Sequence, residues 1–137
     1  MKTDEILNLI LEDATDLVEQ FLHLMEARDL ETAESLMAPE ALITFPGGHH
    51  FSSQREVVAA ATGRYQWIKK RFDKIDVFQE DGTIIVYVIG TLYGVNMNAI
   101  PFADIRFIDR FLIRNGLIEQ QDVWNDLAES GVLTRVT

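Results

Sequence analysis

The stretch Ile105–Asn125, IRFIDRFLIRNGLIEQQDVWN, reads as two strands closed by a tight turn. Asn115-Gly116 is a dipeptide that tolerates the positive φ angles of a two-residue hairpin loop. Before it, Ile105, Phe107, Asp109, Phe111 and Ile113 alternate with Arg106, Ile108, Arg110, Leu112 and Arg114. Period-two alternation puts each set on its own sheet face. One face is then aromatic and aliphatic apart from one carboxylate, and the other carries three arginines and is wetter. An uninterrupted ladder counted back from the turn pairs Arg114 with Leu117, Ile113 with Ile118, and Phe111 with Gln120. It also sets Asp109 opposite Asp122 and Phe107 opposite Trp124.

Directly opposed residues have Cβ atoms about 4.5–5.5 Å apart. Two carboxylates that close, among Phe107, Phe111, Ile113, Ile118 and Trp124, cannot both ionise cheaply. Desolvation and mutual repulsion push at least one pKa upward. A carboxyl held neutral can donate a hydrogen bond or act as a general acid, while its partner acts as a base. Asp109 and Asp122 are therefore the candidate catalytic pair. A bulge in either strand would separate them. The bland alternative at each position is a structural acid satisfied by a neighbouring Tyr, Trp, Arg or backbone amide.

Upstream, Phe72–Glu80 and Thr83–Tyr93 form a second hairpin pattern around Asp81-Gly82, with Gly94–Pro101 as the loop or bulge between hairpins. The chain before Phe72 has helical periodicity instead. Ile6, Ile10, Leu17, Phe21, Leu24 and Met25 recur at helical spacing over residues 5–27. Asp29 caps a second, short helix through Met37, which Pro39 stops. Ala41–Phe45 is a short strand, broken by Pro46-Gly47-Gly48, which leads into His49-His50. Ser53 and Glu56 have capping-box spacing, and a third helix is expected from there to about Arg71, carrying Tyr65 and Trp67. Helices first and an antiparallel meander after them make an α+β layout, whose curved sheet can enclose a pocket.

The 137 residues suit a single domain, 1–137, and 47% apolar with 25% charged residues is a globular balance. A net charge of -10 argues against nucleic-acid binding and against docking on anionic membranes. The absence of cysteine excludes disulfides, thiol catalysis and zinc-thiolate sites. No apolar run approaches the ~20 residues of a membrane span. The start MKTDEILNL lacks a signal-peptide pattern, so a soluble cytoplasmic protein is the expectation.

Three segments together carry a family resemblance: VEQFLHLMEARDLETAESLMAPEALITFPGG (18–48), the helix after SSQRE, and FIDRFLIRNGLIEQQDVWND. In that order they resemble the nuclear transport factor 2-like (cystatin-like) superfamily, in its SnoaL-like polyketide cyclase and ketosteroid isomerase branch. The resemblance implies a cone-shaped curved antiparallel sheet packed on three N-terminal helices, an apolar pocket, and a homodimer. Ile108-Asp109-Arg110-Phe111 matches the Ile-Asp-x-Phe strand of ketosteroid isomerases, so Asp109 resembles their oxyanion-hole acid. Their tyrosine donor falls on Phe21, and their base, an Asp before Pro, falls on Phe45 before Pro46. Steroid-type isomerisation by that route therefore lacks two of its groups. Polyketide-cyclase relatives use pocket acids and histidines without metal or cofactor, roles that Asp122, His49 and His50 could fill.

The remaining candidates follow from that frame. His49 or His50 could sit at the pocket mouth, although two solvated loop histidines are the commoner outcome. Phe21, Phe45, Tyr65, Tyr93, Phe107, Phe111 and Trp124 are expected in the pocket wall or core. Tyr93 or Tyr65 could supply the missing hydroxyl to Asp109. The basic run Arg64, Lys69, Lys70, Arg71 and Lys74 reads as a solvated stripe balancing an acidic surface. No metal or cofactor is expected. Two functions remain open. One is a cofactor-independent isomerase, dehydratase or cyclase acting on a small, mostly apolar organic molecule, with Asp109 as acid and Asp122 or His50 as base. The other is a non-catalytic ligand-binding or protein-interaction module.

Overall fold

The computed structural model describes residues 2–137. Helix α1 (Thr3–Glu26) and the short α2 (Leu30–Ser35) precede strands β1 (Met37–Phe45) and β2 (His49–Phe51). Helix α3 (Gln54–Ala61) follows, then four long strands: β3 (Tyr65–Glu80), β4 (Thr83–Asn96), β5 (Pro101–Arg114) and β6 (Leu117–Asn125). A short helix α4 (Leu127–Ser130) and a 3₁₀ turn close the chain. All six strands form one sheet in the order β2-β1-β6-β5-β4-β3, antiparallel except where β1 runs parallel to β6. The α+β architecture and the curved sheet on N-terminal helices are as expected.

Local chemistry explains the boundaries. Asp29 caps α2 by accepting the Thr32 N–H. Asp81-Gly82 and Asn115-Gly116 have positive φ at both residues, as the two-residue hairpin loop requires. Several boundaries differ from expectation, among them the expected loop Gly94–Pro101, into which β4 extends as far as Asn96 and at whose end β5 already begins. Helix α2 ends at Ser35, and Met37 already belongs to β1. Pro39 lies inside β1 where its ladder to β6 shifts between Met37 and Leu42, so the missing N–H is not needed there. The third helix ends at Ala61 rather than near Arg71, and Gly63, with φ of 86°, turns the chain out of it. Tyr65, Trp67 and the basic run therefore belong to a strand.

The core lies between α1 and the inner sheet face. Val18 and Phe21 of α1 are fully buried, with Val86 and Val88 of β4, Phe111 of β5 and Ile118 of β6. The Phe21 and Phe111 rings meet edge to face with centroids 5.8 Å apart. The curl of the sheet depends on two inner-face glycines of β4. A Cβ on Gly90 would collide with the Arg71 carbonyl oxygen, and one on Gly94 with that of Trp67. Their bare backbones let β3 fold over the sheet, and bulges near both positions add to the bend. That fold-over sets the far edge of the sheet above β5.

Candidate functional site

Between the inner sheet face and helices α1 and α3 lies a cavity of about 150 Å³. Its apolar wall includes Leu22 and Met25 of α1, Val57 of α3, Leu92 of β4 and Val123 of β6. Asp109 stands in this wall on β5, flanked on the neighbouring strands by Val88 and Val123, and is wholly buried. Strand alternation alone turns its side chain inward, between those of Phe107 and Phe111.

Lys70 of β3 reaches Asp109 across the curled sheet, its Nζ donating to Oδ2 at 2.5 Å. The ammonium also lies 5.0 Å from the centre of the Phe107 ring. Glu26, the last residue of α1, fixes the strand at this point: its Oε1 accepts the Lys70 backbone N–H at 2.9 Å. The second carboxylate oxygen, Asp109 Oδ1, is buried and has no hydrogen-bond partner among the described residues. Burial pushes the Asp109 carboxyl above its ordinary range, and the Lys70 ammonium opposes that shift through charge and hydrogen bonding. The cavity wall therefore holds an ammonium–carboxyl pair with one buried, unpartnered carboxyl oxygen. A second polar feature is a pair of amides: Gln54 Nε2 donates to Gln121 Oε1 at 2.8 Å, and Gln54 is itself buried.

The expected aspartate pair does not form. The β5–β6 ladder shifts between Leu112 and Ile113, because Glu119 is an extra residue between the partners Gln120 and Ile118. Beyond this bulge each β6 side chain changes face. Asp109 lies opposite Val123, while Asp122 lies opposite Arg110 on the outer face. There Asp122 Oδ2 accepts from Arg110 Nη1 at 3.2 Å and Gln120 Nε2 at 2.9 Å. The same shift turns Trp124 outward, where it is 53% exposed, and brings Gln121 inward.

Of the other candidates, Phe45, Tyr65 and Phe107 line the cavity. Phe21 and Phe111 pack in the core and do not line it. Tyr93 is on the outer face, edge-on to Trp67 and beneath the Arg71 guanidinium, so it cannot serve Asp109. His49 and His50 are exposed on the edge strand β2. His50 Nδ1 lies 3.1 Å from Thr44 Oγ1, and His49 borders a separate open groove. Neither lines the cavity with Asp109.

Sequence reasoning missed Lys70, Gln54 and Gln121. Lys70 had a signal: Ile68, Lys70 and Phe72 alternate with Trp67, Lys69 and Arg71, a period of two that the helical reading obscured. Gln121 depends on the bulge and had none. Among the described residues, no three His, Asp or Glu side chains are grouped so as to hold a metal ion. No described helix is long and apolar enough to cross a membrane.

Known proteins agree with this architecture. An NTF2-like protein of unknown function from Burkholderia pseudomallei superposes with a TM-score of 0.73 at 19% identity, over 90% of this chain and 98% of that one. TerC, co-crystallised with polyporic acid, gives 0.74 at 14% identity, over 90% and 99%. A candidate polyketide cyclase from Xanthomonas campestris gives 0.65 at 13% identity, over 93% and 98%. At these identities the likeness establishes the fold. No curated protein matches the sequence. Residues 18–121 match the SnoaL-like domain, and the chain belongs to that family.

Proposed function

We propose that the cavity binds a small, mostly apolar organic molecule and that Asp109 exchanges a proton with it, in a cofactor-independent isomerisation, dehydration or aldol-type cyclisation. The observation that carries this reading is Asp109 Oδ1, a buried acceptor without a partner in the cavity wall. Buried polar atoms are nearly always paired, so an orphan here suits a ligand hydroxyl or enol. Burial also raises the proton affinity of this carboxyl, the direction that general-acid work needs. Lys70 takes the partner role that Asp122 or His50 had been expected to fill.

The ion pair itself favours a second reading. Lys70 already compensates Asp109, so the two could stand as a structural pair in a binding pocket without chemistry. Hydrogen–deuterium exchange at the α-carbons of cyclohexanone, followed by NMR, separates the readings. The catalytic reading expects accelerated exchange that Asp109→Asn lowers on the order of a hundredfold or more. Equal exchange with and without the substitution would favour the binding module. For assembly we propose a homodimer through the outer sheet face, where Trp67, Phe78, Ile108 and Trp124 are exposed.

A further inference from the structure

We infer that Lys70 is a covalent carbonyl-capturing residue, forming an imine with a single-ring aldehyde or ketone bound against Asp109. The inference rests on the cavity being a ligand site, as proposed above, and adds a bond and a substrate class to it. Four features of the structure meet at Nζ. The amine belongs to a cavity-lining residue, its side chain only 21% exposed. A carboxyl oxygen within hydrogen-bond distance can take its proton. That carboxyl is wholly buried, so the neutral pair costs less there than in water. The second oxygen, Oδ1, is buried beside the cavity and has no hydrogen-bond partner among the described residues. A cavity of about 150 Å³ takes roughly one benzene-sized ring, which sets the size of the carbonyl compound.

The proton accounting closes within the pair. The Lys70 ammonium passes a proton to Asp109, and the free amine attacks the carbonyl carbon. The C–N bond forms as the carbonyl π pair moves to oxygen, which takes the proton back from Asp109. The carbinolamine nitrogen then returns a proton to Asp109, and Asp109 delivers it to the departing hydroxyl as water leaves. The product is an iminium on Lys70 paired with the Asp109 carboxylate, at the same net charge as the start. No outside oxidant, reductant or metal enters. The iminium would acidify the adjacent C–H bond, the bond that isomerisation and aldol chemistry must break.

The chain has four lysines, Lys2, Lys69, Lys70 and Lys74, which makes the test internal to the unmodified protein. Benzaldehyde with cyanoborohydride converts an iminium to a stable benzylamine, located by peptide mass mapping. Lys70 should label at least about tenfold faster than Lys69, because the cavity holds the carbonyl beside it. Lys69, its chain neighbour, also borders the cavity, but its Nζ lies 5.8 Å from the centre of the Trp67 ring and has no carboxyl partner among the described residues. Lys70→Arg should abolish the fast adduct, and Asp109→Asn should slow it on the order of a hundredfold. Benzyl alcohol, which cannot form an imine, reports cavity binding separately by saturation-transfer NMR. Binding of benzyl alcohol without preferential Lys70 labelling would overturn the imine and leave the ligand site standing. Neither binding nor labelling would overturn both.

Discussion

Replacing Lys70 with Met removes the ammonium beside Asp109 and keeps a flexible apolar stem over Phe107. Oδ1 already lacks a partner, so the substitution leaves the buried carboxylate with neither of its oxygens bonded to Lys70 or to any other side chain. Coulomb's law over 2.5 Å, at an effective dielectric of about 20, gives a gross attraction of about 6–7 kcal/mol. Ordering a lysine side chain offsets about 2 kcal/mol of that. The expected loss near pH 7 is therefore about 3–5 kcal/mol, in the range found when one member of a buried pair is removed. The sign of its pH dependence follows from burial. The folded-state pKa of Asp109 is raised, so its contribution to stability is largest below the unfolded value and falls as pH rises through the folded one. Without Lys70 the folded value rises further, and the gap to wild type widens by up to about 1.36 kcal/mol per pH unit between the two folded values. Urea unfolding of wild type and Lys70→Met at about pH 5 and pH 7 should show a gap that narrows in acid, at unchanged m-value. Adding Asp109→Leu should return stability to within about 1 kcal/mol of wild type, or above it. A gap independent of pH, with no recovery in the double variant, would refute the reasoning.

Three further outcomes follow from the geometry. Gly90→Ala should destabilise by at least about 1–3 kcal/mol in thermal unfolding, because the new Cβ meets backbone that cannot move aside. Asp122→Asn should cost only about 1 kcal/mol and leave benzaldehyde labelling of Lys70 at the wild-type rate, since Asp122 bonds Arg110 on the outer face; loss of labelling would return Asp122 to the site. If the proposed homodimer forms through the outer face, Trp124→Ala should shift sedimentation from dimer to monomer while leaving the labelled residue unchanged, because the exposed ring is on that face.

How far the sequence could be read is clearest at the last hairpin. Asn115-Gly116 fixed Arg114 opposite Leu117, and alternation along β5 fixed Asp109 as an inward-facing acid. Both are local matters of turn dihedrals and a two-residue period. The same count failed a few residues later. Glu119 is exposed enough to be accommodated as a bulge, its carboxylate 3.3 Å from Arg114, while β1 shifts its own register on the other side of β6. Nothing in LIEQQDVWN announces that, because a bulge is chosen by the partner strands on both sides.

What the sequence determined by itself was the α+β order, the two tight hairpins, the family resemblance and one acid on an apolar face. What only the tertiary structure decided was the company that acid keeps. Lys70 is 39 positions from Asp109 along the chain, and it arrives because Gly90 and Gly94 let β3 curl over the sheet. Asp122, 13 positions away and the nearer candidate, is turned out by one extra residue. Periodicity reports which way a side chain points, while long-range curvature and register decide what it meets.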